Sequence, residues 1–276
     1  MNAGALRAAL GEASASLGIA WVDETGSTNA DLLAAARAGV DFGAPRLLVA
    51  DRQSAGRGRR GKVWSSALRA SLTFSLGWQL QTSDLSGLSL AIGTALADAL
   101  DPASSRLGLK WPNDLWLVDA VGAGRKAGGI LIETAPSGHR RIAVIGIGLN
   151  VLEQRVDDAT SGVAWLREID AGATPFGVLC RSVPALLDAL ASFEGGGFAA
   201  FAERFAARDL LRGRAVRCST GANLPTVEGT AIGVSAAGEL LVRTGPGIET
   251  IVSGEVSVRL ADDRAAAARE PARSSC

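Results

Sequence analysis

Two apolar stretches that carry glycines in their interiors constrain the fold most. Lys126–Thr134 reads KAGGILIET and Arg141–Val151 reads RIAVIGIGLNV, with a turn signal at Pro136–Gly138 between them. Alternation along both predicts strands, and the turn signal between them suits an antiparallel hairpin. A hairpin axis on Gly138 would set Lys126 opposite Asn150, Gly128 opposite Gly148 and Ile130 opposite Gly146, all on one face. That face would be a bare glycine floor with an ammonium and a carboxamide at one end. Ala143, Ile145, Ile147 and Leu149 would face a core. Glycine weakens a strand, so it marks a bulge or a close backbone approach.

The second constraint is residues 50–64, ADRQSAGRGRRGKVW. Glycine lets the backbone fold back and approach a ligand, and arginine forks match carboxylate and phosphate oxygens. GRGRRG satisfies G-x-G-x-x-G, but polar residues follow the strand expected at Arg46–Ala50, and no helix opens at Lys62–Ser66, so a dinucleotide fingerprint is disfavoured. A solvated basic turn and a mobile anion-binding lid both remain open.

Other elements follow from pattern. A short helix is expected over residues 1–17 and a strand over Ile19–Glu24. A helix capped by Ser27 or Thr28 should stop at Gly39. Ser71–Leu80 alternates as a half-buried strand, and Leu85–Leu100 has helical spacing. Pro112 separates two short strands, Leu109–Trp111 and Leu115–Val118, with Asn113 and Asp114 in either an Asx turn or a ligand pocket. Ala159–Ile169 and Pro175–Ala207 read as helices, the latter broken near Gly195–Gly197. Five short strands from Arg214 to Leu260 suggest a small β-barrel. The expected fold is α+β, a mixed sheet packed by helices, with domains at 1–209 and 210–262 and a disordered tail at 263–276.

Composition excludes several chemistries. Hydrophobic residues make up 47%, enough for a sizeable core, and the formal net charge is zero, which argues against non-specific nucleic-acid binding. No apolar run reaches spanning length and no leader is evident, so no membrane partner and a cytoplasmic location are expected. His139, the only histidine, falls in a turn, which disfavours a histidine-based triad. Cys180, Cys218 and Cys276 lack zinc spacing. Lysine occurs only at Lys62, Lys110 and Lys126, each in a motif-like stretch.

GSTN (Gly26–Asn29), DRQSAGRGRRGKVW (Asp51–Trp64), LKWPNDLWL (Leu109–Leu117), KAGGILIE (Lys126–Glu133) and GIGLN (Gly146–Asn150) occur in this order. Together they closely resemble biotin protein ligases. The resemblance implies a class II synthetase-like catalytic fold with a small C-terminal β-barrel. It also implies two steps: biotin is activated by ATP as biotinyl-5′-adenylate, then transferred to a lysine of a biotin carboxyl carrier domain. On this resemblance Ser27, Thr28, Asn29 and Gln53 contact biotin's ureido head. Arg57, Gly58 and Arg59 close over its carboxylate and the adenylate phosphate, and Gly129 lines the biotin site. Lys126 bridges carboxylate and α-phosphate as the main catalytic charge, with Arg59 beside it. Arg59, Lys62, Trp64, Asn113, Lys126 and Asn150 serve the nucleotide, Trp64 covering adenine. Mg²⁺ accompanies ATP; no metal ligand is assigned, Asp114 being a guess. A homodimer is possible. Some members carry an N-terminal DNA-binding domain; too few residues precede GSTN for one, so no DNA partner is expected. The alternatives are a lipoate–protein ligase-like acyl transferase and a non-catalytic ligand- or RNA-binding module.

Overall fold

The computed structural model describes residues 2–82, 84–104, 106–119, 124–137, 140–154, 162–219, 226–252 and 257–260. In chain order the elements are α1 (Ala3–Leu10), β1 (Gly18–Thr25), α2 (Thr28–Arg37), β2 (Arg46–Gln53), β3 (Ser71–Leu80), α3 (Leu88–Leu100), β4 (Leu107–Lys110), β5 (Asp114–Val118), β6 (Gly124–Ser137), β7 (Arg140–Asn150), α4 (Pro175–Gly196) and α5 (Ala202–Arg208), followed by β8 (Ala215–Ser219), β9 (Thr226–Val234), β10 (Leu240–Arg243), β11 (Ile248–Ile251) and β12 (Ser257–Leu260).

The first seven strands form one mixed sheet in the order β1-β2-β3-β7-β6-β5-β4. β1 and β2 are parallel, because α2 carries the chain back between them. The other neighbours are antiparallel. One face packs under α3 and α4, burying Phe74, Leu76, Ile130, Ile145 and Ile147. The opposite face is covered at one end by α2, where Leu32, Leu33, Phe42, Leu48 and Val144 form a smaller core. The rest of that face holds the candidate site.

Four expectations change. The β6–β7 register is one position later than the sequence suggests: Gly129 faces Gly148, Leu131 faces Gly146 and Gly128 faces Leu149. The reason is the turn. Ser137 pairs with Arg140, which moves the hairpin axis off Gly138; Gly138 and His139 themselves lie outside the described residues. Gly128 and Ile130 therefore turn towards the main core, and Gly129 takes the place expected of Gly128. Secondly, β3 is not half-buried. Ser71, Thr73 and Ser75 are as buried as the leucines beside them, and their hydroxyls bond to Gln154, the Ala50 carbonyl and Asn29. Cover from α2 turns an apparent solvent face into a polar interior one. Thirdly, the described part of Ala159–Ile169 holds one 3₁₀ turn, Leu166–Glu168, in place of an α-helix. Residues 162–164 instead bond to Lys126 in sheet fashion, with Lys126 N donating to the Gly162 carbonyl at 3.3 Å and Ala164 N to the Lys126 carbonyl at 2.9 Å.

The C-terminal strands form a five-stranded antiparallel sheet in the order β11-β10-β9-β8-β12. Val216, Ala231, Leu240 and Val242 join the main buried cluster, so the two sheets share one core. The β9–β10 turn provides the closest joint. Trp111 Nε1 donates to the Gly238 carbonyl at 2.9 Å, and a Cβ on Gly238 would lie 2.7 Å from Gly87 Cα. The helical run Pro175–Arg208 is long and apolar enough to span a membrane by length and composition, contrary to the sequence expectation. Its Val178, Leu179, Leu186, Leu190 and Phe193 are buried like those of a core helix. The tail expected at 263–276 lies outside the described residues.

Candidate active site

The site is built where β6 departs from regular pairing. Leu115 pairs with Gly128 but Trp116 pairs with Lys126, so Ala127 is an extra residue. Such a bulge re-aims the side chains before it. Ala127 goes into the core at 0% exposure, and Lys126 is turned onto the face of Gly129. A Cβ on Gly129 would lie 3.3 Å from Lys126 Nζ. Lys126 thus reaches the predicted face although the register differs. Its ammonium donates to Asp114 Oδ1 at 2.6 Å and stands 6.0 Å from the centre of the Trp64 ring. Asp114 occupies the position opposite Gly129.

The Gly/Arg stretch forms a narrow hairpin beside this pair. Gly58 N donates to the Lys62 carbonyl at 2.7 Å and Trp64 N to the Gly56 carbonyl at 2.9 Å. Arg60 and Gly61 make the tip in the left-handed region, with φ of 59° and 71°. Gly56 has no alternative, since a Cβ there would lie 2.4 Å from the Trp64 carbonyl oxygen. Arg59 is the half-buried cation of the loop, whereas Arg57, Arg60 and Lys62 are exposed. Burial lowers the Arg59 pKa below its ordinary value, and the nearby Asp114 charge opposes that shift. Lys126 is paired with that carboxylate, and Arg59 feels its charge from the loop side.

On the other side stands the N-terminus of α2. Ser27, Thr28 and Asn29 are all buried. Ser27 Oγ accepts a long 3.5 Å bond from Ala30 N. Gln53 Oε1 accepts from Thr28 N at 2.7 Å and from Thr28 Oγ1 at 3.0 Å. Thr28 Oγ1 is 2.7 Å from Ser75 Oγ, which donates to Asn29 Oδ1 at 2.6 Å. Asn29 Nδ2 donates to the Leu131 carbonyl at 3.2 Å and to Glu133 Oε2 at 2.9 Å.

The floor is not bare. A Cβ on Gly146 would meet Asn29 Oδ1 at 2.3 Å, and one on Gly148 would meet Trp64 Cε2 at 2.4 Å. The glycines make room for these two side chains. The structure thus brings Lys126, Gly129, Trp64, Thr28, Asn29 and Gln53 to one sheet face. Asn113 instead joins the β4–β5 turn to β6, its Nδ2 donating to the Ile130 carbonyl at 2.8 Å. Asn150 donates to the Lys126 carbonyl at 3.3 Å and accepts from Gln154 at 3.1 Å, which steadies the bulge. Arg57, Gly58 and Lys62 lie on the loop. The sequence reading did not single out Ser75 or Glu133. It gave Asp114 only as a guess for metal, not as the partner of Lys126. Glu133 closes the KAGGILIE motif, and Ser75 lies in the alternating set of β3, so both carried a signal.

Comparison with known proteins agrees with this arrangement. Residues 39–150 match the Biotin/lipoate A/B protein ligase family, and residues 213–259 match the Biotin protein ligase C terminal domain. A biotin–[acetyl-CoA-carboxylase] ligase of Paracoccus denitrificans is 33% identical over 244 residues, covering 84% of this chain and 97% of that one. The bifunctional ligase/repressor BirA of Salmonella typhimurium is 34% identical over 224 residues, 78% of this chain and 67% of its own length, so the chain spans about two thirds of that relative. The structure of a biotin protein ligase from Aquifex aeolicus in complex with biotin and ATP superposes with a TM-score of 0.73 at 29% identity, covering 88% of this chain and 99% of that one. With its sheet, its Lys126 bulge and its Gly/Arg loop in place, the chain belongs to the biotin protein ligase family.

Proposed function

We infer that the chain joins biotin to AMP and then to a lysine of a biotin carboxyl carrier domain. The observation that carries this reading is the Lys126–Asp114 ion pair on the Gly129 face beside Trp64, with the charge of Asp114 felt by the half-buried Arg59 of the loop. Asp114 Oδ1, 2.6 Å from Lys126 Nζ, shows that this ammonium is placed to hold an anionic oxygen. In the first step a biotin carboxylate oxygen attacks the α-phosphorus of ATP. The new C–O–P anhydride forms as the α–β P–O bond breaks and pyrophosphate leaves. Lys126 exchanges Asp114 for the two approaching anions and stabilises charge that grows on the α-phosphoryl oxygens. A compact ammonium concentrates that charge at one point. Arg59 closes from the loop side, with Arg57 and Gly58 following the carboxylate. Thr28, Ser27 and Gln53 hold the ureido head; Trp64, Asn113, Asn150 and Lys62 serve the nucleotide. In the second step a neutral lysine amine of the carrier attacks the acyl carbon, AMP leaves, and the amine proton passes to water. Neither step requires imidazole.

Mg²⁺ fits this site as an ion that enters with ATP. No group of three or more His, Cys, Asp or Glu side chains gathers among the described residues, and Asp114 is already paired with Lys126. Phosphate oxygens would hold the ion, which would supply charge neutralisation on the leaving pyrophosphate.

The test is biotin-dependent ATP–pyrophosphate exchange. Exchange with biotin, and a fall of about 10²–10³-fold in Lys126→Ala and Arg59→Ala, is expected. Exchange driven by lipoate instead would indicate the lipoate-ligase activity, and exchange with neither acid would indicate a binding module.

A further inference from the structure

Asn29 has no N–H left for a ligand. Its amide oxygen accepts from Ser75, and its two amide protons go to the Leu131 carbonyl and Glu133. A backbone carbonyl and an ionised carboxylate both only accept, so together they fix which way the amide points. Asn29 Oδ1 must then face Ser75, and Ser75 must give it its single proton. Towards Thr28, Ser75 can therefore only accept. The Thr28 hydroxyl proton has two acceptors inside the protein, Ser75 Oγ at 2.7 Å and Gln53 Oε1 at 3.0 Å. Whichever takes it, Thr28 Oγ1 offers an incoming ligand lone pairs rather than a proton.

We propose that Glu133, Asn29 and Ser75 are positioning residues: a relay, running from half-buried Glu133 to buried Asn29 and Ser75, that fixes Thr28 Oγ1 as an acceptor and so selects a ligand head bearing an N–H. The proposal rests on the reading of this pocket as the biotin head site. It makes Asn29 an indirect contributor, one step removed from the ligand. The geometry around it agrees. Gly146 has no side chain where Asn29 Oδ1 sits, Ser75 is 0% exposed, and Ser75 pairs with Gly146 across β3 and β7. Glu133 lies on the same face of β6 as Leu131 and Gly129. The relay thus ties α2 to β3 and β6 through polar groups, buried at Asn29 and Ser75 and half-buried at Glu133, that are satisfied together.

The test is a charge-polarity swap read by steady-state exchange kinetics. Asn29→Asp turns a donor edge towards Glu133 and Leu131 into an acceptor edge. It should raise the biotin KM about 100-fold, with kcat and the ATP KM within about twofold. Adding Glu133→Gln supplies an N–H to the new carboxylate, so the double variant should return to within about tenfold of the parent. A direct contact from Asn29 to biotin predicts no such rescue, and its absence overturns the relay. Glu133→Leu, read independently, should raise the biotin KM about tenfold with the ATP KM unchanged; an unchanged biotin KM overturns the proposal as well. Thr28→Ala separates the two levels. If it leaves the biotin KM unchanged, the pocket does not take biotin's head and the site reading itself fails. A raised KM in Thr28→Ala without rescue in the double variant removes only the relay.

Discussion

Trp64 lies directly over Gly148, so close that a Cβ on that glycine would stand 2.4 Å from indole Cε2. The indole is the far end of the Gly/Arg hairpin, and the glycine belongs to the central strand β7. Their contact sets how deeply the loop closes. Gly148→Ala should lift the indole off the sheet, lower stability by about 1–3 kcal/mol and raise the ATP KM at least about tenfold. Thermal melts and exchange kinetics measured in parallel check both effects. A variant with parental ATP KM would separate Trp64 from the nucleotide.

The same hairpin carries four basic residues, three of them exposed. If the loop seals over biotin and ATP, trypsin cleavage after Arg57, Arg59, Arg60 and Lys62 should slow with both ligands present. Exclusion of water from the acyl-adenylate requires that closure. Equal cleavage rates in both states would mean that the loop does not act as a lid.

Lys126 and Asp114 form an ion pair with both side chains partly exposed, at 31% and 22%. Such a pair adds little to folding, about 0–1 kcal/mol. Asp114→Asn should therefore leave the melting temperature nearly unchanged. Its effect should appear in the nucleotide step, because the ammonium loses the group that places it. Melting curves beside single-turnover adenylation rates distinguish this from a structural role.

Much of this site was legible before any coordinates. The motif order, the glycine-bearing strands and the loop placed Lys126, Arg59, Trp64 and α2 in one region. What escaped had a local cause. Strand alternation gives the two faces of β3 but not what covers them, so Ser75 read as solvated when α2 buries it. Register depends on how the hairpin closes, and closure at Ser137–Arg140 moved every β6–β7 pair by one. The bulge at Ala127 then returned Lys126 to the expected face. Pattern reading put Lys126 on the observed face through an incorrect pairing, because the extra residue reverses the parity of the strand.

Trp111 and Gly238 join the C-terminal sheet to the turn that leads into Asp114. Gly238 has φ of 78° and leaves no room for a Cβ beside Gly87. Gly238→Ala should cost about 1–3 kcal/mol through backbone strain and steric displacement. If this joint shapes the nucleotide side, the ATP KM should rise while the biotin KM holds. Calorimetry and exchange kinetics decide it; an equal rise in both constants would point to general loosening.

Asp209 lines a cavity of about 130 Å³ between α5 and β9, and its Oδ2 is buried without a partner among the described residues. Burial raises its pKa above the ordinary value. The folded state therefore holds the proton to higher pH than the unfolded chain does. The Asp209 contribution to stability falls as pH rises from the unfolded pKa through the folded one, and the full penalty persists above it. Asp209→Asn removes that penalty and keeps an oxygen for the Leu211 N–H, a 2.9 Å bond here. The melting temperature of the variant should exceed the parent's at neutral pH, with the gap closing as pH falls below the ordinary carboxylate range. A gap independent of pH would exclude the titration of Asp209 as its source.

The most direct measurement is a crystal structure with biotinyl-5′-adenylate bound. The ammonium of Lys126 is predicted to leave Asp114 and lie within hydrogen-bond distance of the acyl-phosphate oxygens, with Arg59 on the same linkage. An ammonium still paired with Asp114 and remote from that linkage would contradict the account.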